Sequence, residues 1–234
     1  MVISVIALYF LVLWAQPYKH EMQKLEGGND IEVNKMASLA GPARNFKQNS
    51  KQTRRNVIIV SHGRSGSSLM GDIFNHHPTV FYMYELLQAA ERVHKKLVGR
   101  NTSYSDLAKQ FLKGVFSCKF DDPQILADIE KYYRKPDHPR ISQAIASPPL
   151  CPFKTTDRRW DPKLCYPMTS KTLGSACKDN YDVTTVKVLI SRIPENSIKT
   201  ILDTCNKLTD VDCKVVYLVR DPRAVITSLR KVGF

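Results

Sequence analysis

Five consecutive residues, Arg64-Ser65-Gly66-Ser67-Ser68, bring together what an oxyanion asks of a protein: a planar cation, a glycine that lets backbone N–H groups converge, and hydroxyl donors. They follow the apolar run Asn56–Ser61 (NVIIVS) and precede a helical segment near Leu69–Phe74, so the positive N-terminal end of a helix adds to the attraction. The turn is not the nucleotide loop that ends in Gly-Lys-Ser/Thr, because Ser67 and Ser68 follow Gly66 and Arg64 is its strong cation. A plain Gly/Ser-rich connection between strand and helix has the same local composition, so a second segment is needed to decide.

That segment is Lys214–Lys231, KVVYLVRDPRAVITSLRK. A buried strand delivers Arg220 at its C-terminal end, a helix begins at Pro222, and Ser228 lies on its second turn, about 9 Å further along at 1.5 Å per residue. In open α/β sheets ligands gather at the carboxyl ends of the strands, where Arg220 offers a planar fork of donors suited to phosphate and Ser228 adds a hydroxyl donor. The alternative is a local Arg220–Asp221 pair beside a solvated Arg223.

The elements that must position these residues are legible as periodicity. Asn56–Ser61, Thr79–Tyr84, Val183–Ile190 and Cys213–Val219 are short apolar runs rich in β-branched and aromatic residues, which reads as buried strands. Helical spacing covers Glu85–Val98 up to Gly99, a stretch capped by Ser103 through Phe116, another from Asp122-Pro123 through Tyr133, and Pro194–Leu208. Helix-separated strands predict an α/β domain with a P-loop-like parallel sheet flanked by helices. Lys135–Asn180, with seven prolines and three of the six cysteines, reads as an irregular segment held by disulfides.

At 234 residues and 43% apolar composition the chain can bury one core. Lys and Arg number 35 against 22 Asp and Glu, a net charge of +13 that favours anionic partners. The basic residues are scattered rather than arrayed in a stripe with aromatics, which argues against nucleic acid and fits nucleotides and anionic glycans. The six cysteines form no C-x-x-C pair, so disulfides are expected rather than zinc, in an oxidising compartment.

Val2–Ala15 is almost unbroken apolar sequence. As a helix it spans about 21 Å of a roughly 30 Å hydrocarbon core, so residues 1–17 are read as a signal peptide or signal anchor. No basic residue precedes this run, which leads to the expectation that the natural N-terminus lies further upstream. Residues 18–54, polar and containing Gly27-Gly28-Asn29-Asp30, read as a flexible stem, and 55–234 as the folded domain. Asn101-Thr102-Ser103 is a glycosylation sequon.

Arg64–Ser68 and Val219–Arg230, in that order, resemble the Golgi carbohydrate sulfotransferases that act on the 6-hydroxyl of galactose, N-acetylgalactosamine or N-acetylglucosamine. The likeness extends through Gly71, Phe74-Asn75, Pro78, Val80–Glu85 and the cysteines before Val186, and covers about Asn56 to Phe234. It implies transfer of a sulfuryl group from PAPS (3'-phosphoadenosine 5'-phosphosulfate) to a sugar hydroxyl of a glycan, glycoprotein or proteoglycan. It also implies a lumenal catalytic domain on a single-pass type II Golgi membrane protein. In that likeness Arg64, Ser65, Gly66, Ser67 and Ser68 hold the 5'-phosphosulfate, and Arg220 and Ser228 hold the 3'-phosphate. Arg64 and Glu85 are the implied catalytic residues, Glu85 as the base that takes the acceptor's proton, and no metal is implied.

The chain departs from the family at Ser61-His62-Gly63, where a Thr-Thr lead-in is usual, and at Glu85-Leu86, where Glu-Pro is usual. The family also continues beyond the position of Phe234, so a C-terminally incomplete domain is expected. His62, two residues before Arg64, is a rival base because an imidazole titrates near neutrality. Two other classes stay open: a P-loop nucleotide kinase or NTPase, which would need a loop lysine and a carboxylate-held magnesium, and a cofactor-binding remnant without turnover.

Overall fold

The computed structural model describes residues 53–97, 102–135 and 141–231. The signal or anchor segment, residues 18–52 of the stem and Asn101 of the sequon lie outside the described residues. Among the described residues no helix is long and apolar enough to cross a membrane.

Four strands, β1 (Arg54–Ser61), β2 (Val80–Tyr84), β3 (Val183–Leu189) and β4 (Val211–Leu218), form one parallel sheet in the order β2-β3-β1-β4. The helices are α1 (Ser67–Asn75), α2 (Leu86–Lys96), α3 (Tyr104–Phe116), α4 (Pro123–Tyr132), α5 (Ser170–Asn180), α6 (Lys199–Asn206) and α7 (Pro222–Arg230). Parallel strands need crossover connections, and the helices supply them. The expected parallel α/β architecture is the one observed.

Ile58 and Val60 of β1, with Val186 and Val188 of β3, pack into one core with Leu87 of α2, Phe111 and Leu112 of α3 and Ile201 of α6. Each such side chain contributes about 1.5–3 kcal/mol when fully removed from water. The intervening strand residues face the other way, towards α1. There Gly71 approaches Tyr82 so closely that a Cβ would sit 2.0 Å from the phenolic oxygen. Glycine is what lets α1 lie down on the sheet.

At the start of β1, Arg54 donates from Nε to Thr184 Oγ1 (3.0 Å), from Nη1 to the Tyr181 carbonyl (2.9 Å) and from Nη2 to the Cys177 carbonyl (2.9 Å). Burial lowers the pKa of this guanidinium to about 10, and the three acceptors lock β1 against β3 and the end of α5.

Caps expected from the sequence are present. Ser103 accepts from the Asp106 N–H, and Asp122 accepts from Gln124 and Ile125 with Pro123 at the first helical position. Two segments differ from expectation. The proline-rich stretch contains an eleven-residue helix, α5, started by a reciprocal capping box between Thr169 and Thr172 and tied to the end of α3 by Cys118–Cys177. The helix expected from Pro194 begins only at Lys199. Before it lie two 3-10 turns, Ile190–Arg192 and Pro194–Asn196, where Glu195 (φ 60°) and Asn196 (φ 52°) are left-handed and cannot continue a right-handed helix.

All six cysteines are paired, as Cys118–Cys177, Cys151–Cys165 and Cys205–Cys213. The second staples the irregular segment, and the third joins α6 to β4. In the chain-entropy account, closing a loop of this order is worth about 3 kcal/mol.

Candidate active site

The carboxyl ends of all four strands converge on one edge of the sheet. β1 runs into the loop 62–66, in which Arg64 (φ 64°) and Gly66 (φ 88°) are both left-handed. These two reversals turn the chain into α1, whose cap residue Gly66 offers no side-chain acceptor. The first N–H groups of α1 are therefore left for an external acceptor, at the positive end of the helix.

Arg64 donates from Nε to Ser228 Oγ of α7 (2.9 Å), and Arg220, just beyond β4, donates from Nη1 to the Arg64 carbonyl (3.1 Å). The two sequence segments that carried the anion-binding pattern are thus hydrogen-bonded to each other across 164 and 156 positions of sequence. Arg64, Gly66, Ser67, Ser68, Arg220 and Ser228 line a cavity of about 330 Å³. Ser65 is buried in the turn beside it. A second cavity of about 430 Å³ shares Arg220 and Ser228 and adds Arg223, Thr227 and Lys231, so the cationic surface continues along α7.

Asp221 pairs with Arg223 (2.6 Å) rather than with Arg220, and accepts the Arg223 N–H as the cap of α7. The Arg223 hydrogen bonds hold the Asp221 carboxyl below the usual carboxylate range. The local Arg220–Asp221 pair is therefore not formed, and the Arg220 guanidinium stays turned to the loop.

Glu85 enters the 330 Å³ cavity from the end of β2. It is the left-handed cap of α2 (φ 45°, ψ 52°), not its first helical residue, and it is buried. Its Oε1 is 2.5 Å from Lys187 Nζ and its Oε2 is 3.1 Å from Arg192 Nε. Arg192 also reaches Glu91 on α2 (3.2 Å), and its carbonyl accepts from the Tyr104 hydroxyl. Lys187 stands 4.5 Å from the centroid of the Tyr84 ring, and Tyr84 Oη is 3.5 Å from Ser68 Oγ. The Tyr84 carbonyl accepts from Tyr133 at 2.9 Å.

Lys187, Arg192 and Tyr84 carry no motif and were missed in the sequence. The available signal was a lone lysine in an otherwise apolar strand with both faces covered, a position where an unpaired ammonium is costly. His62 goes elsewhere. Its ring makes a T-shaped contact with Tyr217 (6.4 Å between centroids), and both line a separate cavity of about 680 Å³ with Ile190, Ser191, Asn196 and Ile198. The two rival bases thus face different cavities. Among the described residues no cluster of His, Cys, Asp or Glu could hold a metal ion.

Comparison with known proteins places this edge in context. The family described as the sulfotransferase domain matches residues 54–232. The chain is 29% identical to carbohydrate sulfotransferase 7 of Rattus norvegicus over 231 residues, covering 88% of this chain and 44% of that protein. It is 28% identical to carbohydrate sulfotransferase 6 of Homo sapiens over 188 residues, with coverages of 76% and 44%. To carbohydrate sulfotransferase 3 of Mus musculus it is 28% identical over 210 residues, with coverages of 83% and 42%. The chain spans less than half the length of these curated relatives. No solved structure matches it.

Proposed function

The chain belongs to the sulfotransferase domain family, and on that premise we propose that it moves the sulfuryl group of PAPS to a hydroxyl of a glycan, the 6-hydroxyl of galactose, N-acetylgalactosamine or N-acetylglucosamine. The observation that carries this reading is the joining of the loop after β1 to the segment after β4 through Arg64, Ser228 and Arg220. PAPS, when bound, supplies the activated sulfuryl group and a phosphate that can leave.

The residues present fit such a donor, because its two anionic ends match two cationic cavities that share Arg220 and Ser228. Arg64 with the N–H groups and hydroxyls of Ser65, Gly66, Ser67 and Ser68 would hold the 5' end. Arg220 and Ser228 would hold the 3'-phosphate. Arg64 also offsets charge that builds on the leaving phosphate, and Glu85 accepts the proton of the acceptor hydroxyl. The loop has Ser67 after Gly66 where an NTPase loop has lysine, which favours this reading over a kinase.

The same reading assigns residues 1–17 to a signal or anchor segment, 18–54 to a stem and 55–234 to the catalytic domain of a type II Golgi membrane protein. Three disulfides favour a lumenal, oxidising compartment.

The test is calorimetric titration with PAPS and with ATP plus magnesium, alongside radiolabelled sulfate transfer to desulfated glycans. PAPS binding is expected, with Arg64→Ala and Arg220→Ala each weakening it by about 1.5–3 kcal/mol. Binding of ATP with magnesium but not of PAPS overturns the proposal. PAPS binding without transfer to any glycan favours a cofactor-binding remnant.

A further inference from the structure

We propose that Lys187 is a catalytic residue whose ε-ammonium is shared between Glu85 and the donor: when PAPS binds, Lys187 moves to the bridging oxygen of the phosphosulfate and leaves Glu85 Oε1 free to take the acceptor's proton. This rests on the sulfotransferase reading and adds to it a residue and an order of events.

The first support is cost. Lys187 sits in the middle of the sheet with its side chain 2% exposed, flanked by the core residues Val186 and Val188. A buried ion pair is seldom a gain in stability over apolar residues of similar volume, so holding a lysine there needs another reason. The second is direction. Lys187 is in register with Tyr84 of β2 and Ile59 of β1, on the sheet face that carries α1, and it lines the cavity together with Arg64, Ser67 and Ser68. Its ammonium and the free N–H groups of α1 therefore address the same space.

The third support is an asymmetry in how Glu85 is held. Oε2 is fixed by Arg192, itself anchored by Glu91 and Tyr104, so the carboxylate keeps its position whatever Lys187 does. Oε1 has Lys187. Withdrawal of Lys187 leaves Oε1 free to accept a proton at the moment a base is required, while Oε2 stays on Arg192. In the assisted step the acceptor oxygen forms the new S–O bond. The S–O bond to the donor phosphate breaks and its electron pair stays on the phosphate oxygen, where Lys187⁺ faces it. The acceptor proton goes to Glu85, and Lys187 stays protonated throughout.

Three versions of the full chain test this by calorimetry with PAPS, thermal unfolding and turnover. Lys187→Met is expected to lower the unfolding midpoint, because buried Glu85 keeps only Arg192 as a partner, to weaken PAPS binding about 10-fold or more, and to lower turnover by roughly 10²–10³-fold. Glu85→Gln is expected to bind PAPS several-fold more tightly, because Lys187 no longer has a carboxylate to leave, while turnover falls by roughly 10²–10⁴-fold. Unchanged PAPS affinity in Lys187→Met, or weaker PAPS binding in Glu85→Gln, overturns the inference. If Lys187→Met fails to fold, the sign of the Glu85→Gln change decides alone. If the wild-type chain binds no PAPS, it is the sulfotransferase reading that fails, a result distinct from both.

Discussion

Tyr84 at the end of β2 and Ser228 on α7 line the same cavity, yet they stand on supports of different kinds. In β2 four of five residues are buried, and Phe81 packs against Phe120 and Tyr181. In β4 only Val215 is buried, and none of the nine residues of α7 is; Val219 and Ile226 are 57% and 50% exposed. On the first side, core packing and ion pairs determine where Glu85 and Lys187 lie. On the second, Arg220 and Ser228 owe their position to the β1–β4 ladder and to two hydrogen bonds with Arg64. Arg64, the proposed ligand for the anion, is therefore also the clasp that joins the less buried half of the site to the more buried one.

Three substitutions would break or sharpen this contrast. Phe81→Ala should have the largest effect, lowering unfolding free energy by about 3–5 kcal/mol in denaturant melts, since it empties a packed aromatic site. Arg64→Ala should act unevenly: amide exchange across 222–230 should rise by roughly 2- to 10-fold while that of 80–84 is unchanged. Equal loosening of both segments would mean that the two halves are not separately supported. Ile226→Ala should be the mildest, within about 0.5 kcal/mol of wild type, because little packing is lost at a half-exposed position. A loss of several kcal/mol there would mean that α7 is held by its apolar face after all.

The same contrast explains what was readable from the sequence. The four strands were legible because their apolar runs are short and β-branched, and the loop and Arg220-Asp221-Pro222 were legible because their chemistry is contiguous. Lys187 was not, since its meaning depends on Glu85, 102 residues away, and the apolar run VTTVKVLI reads as a buried strand without giving its single lysine a partner. The helix α5 was hidden by neighbouring prolines, although the Thr169/Thr172 spacing is a capping signal. The late start of α6 depends on two left-handed residues after Pro194, where proline at a first turn suggested a helix. The orientation of His62 follows from strand alternation, because it shares the side of β1 that carries Val60, opposite the face of Lys187.

The strand order also sets a timetable for biosynthesis. β1, the strand that carries Arg64 at its end, lies between β3 and β4, and its first residue, Arg54, is hydrogen-bonded to Thr184, 130 residues later in the chain. At translation rates of about 5–20 residues per second, β1 waits roughly 6–26 seconds for its first sheet partner and longer for the second. Through that interval an apolar strand with two open edges is exposed in a nascent chain, and no local hairpin can shelter it. Yield of the folded protein is therefore expected to depend on whatever shields NVIIVS during synthesis, more than on the stability of the finished sheet.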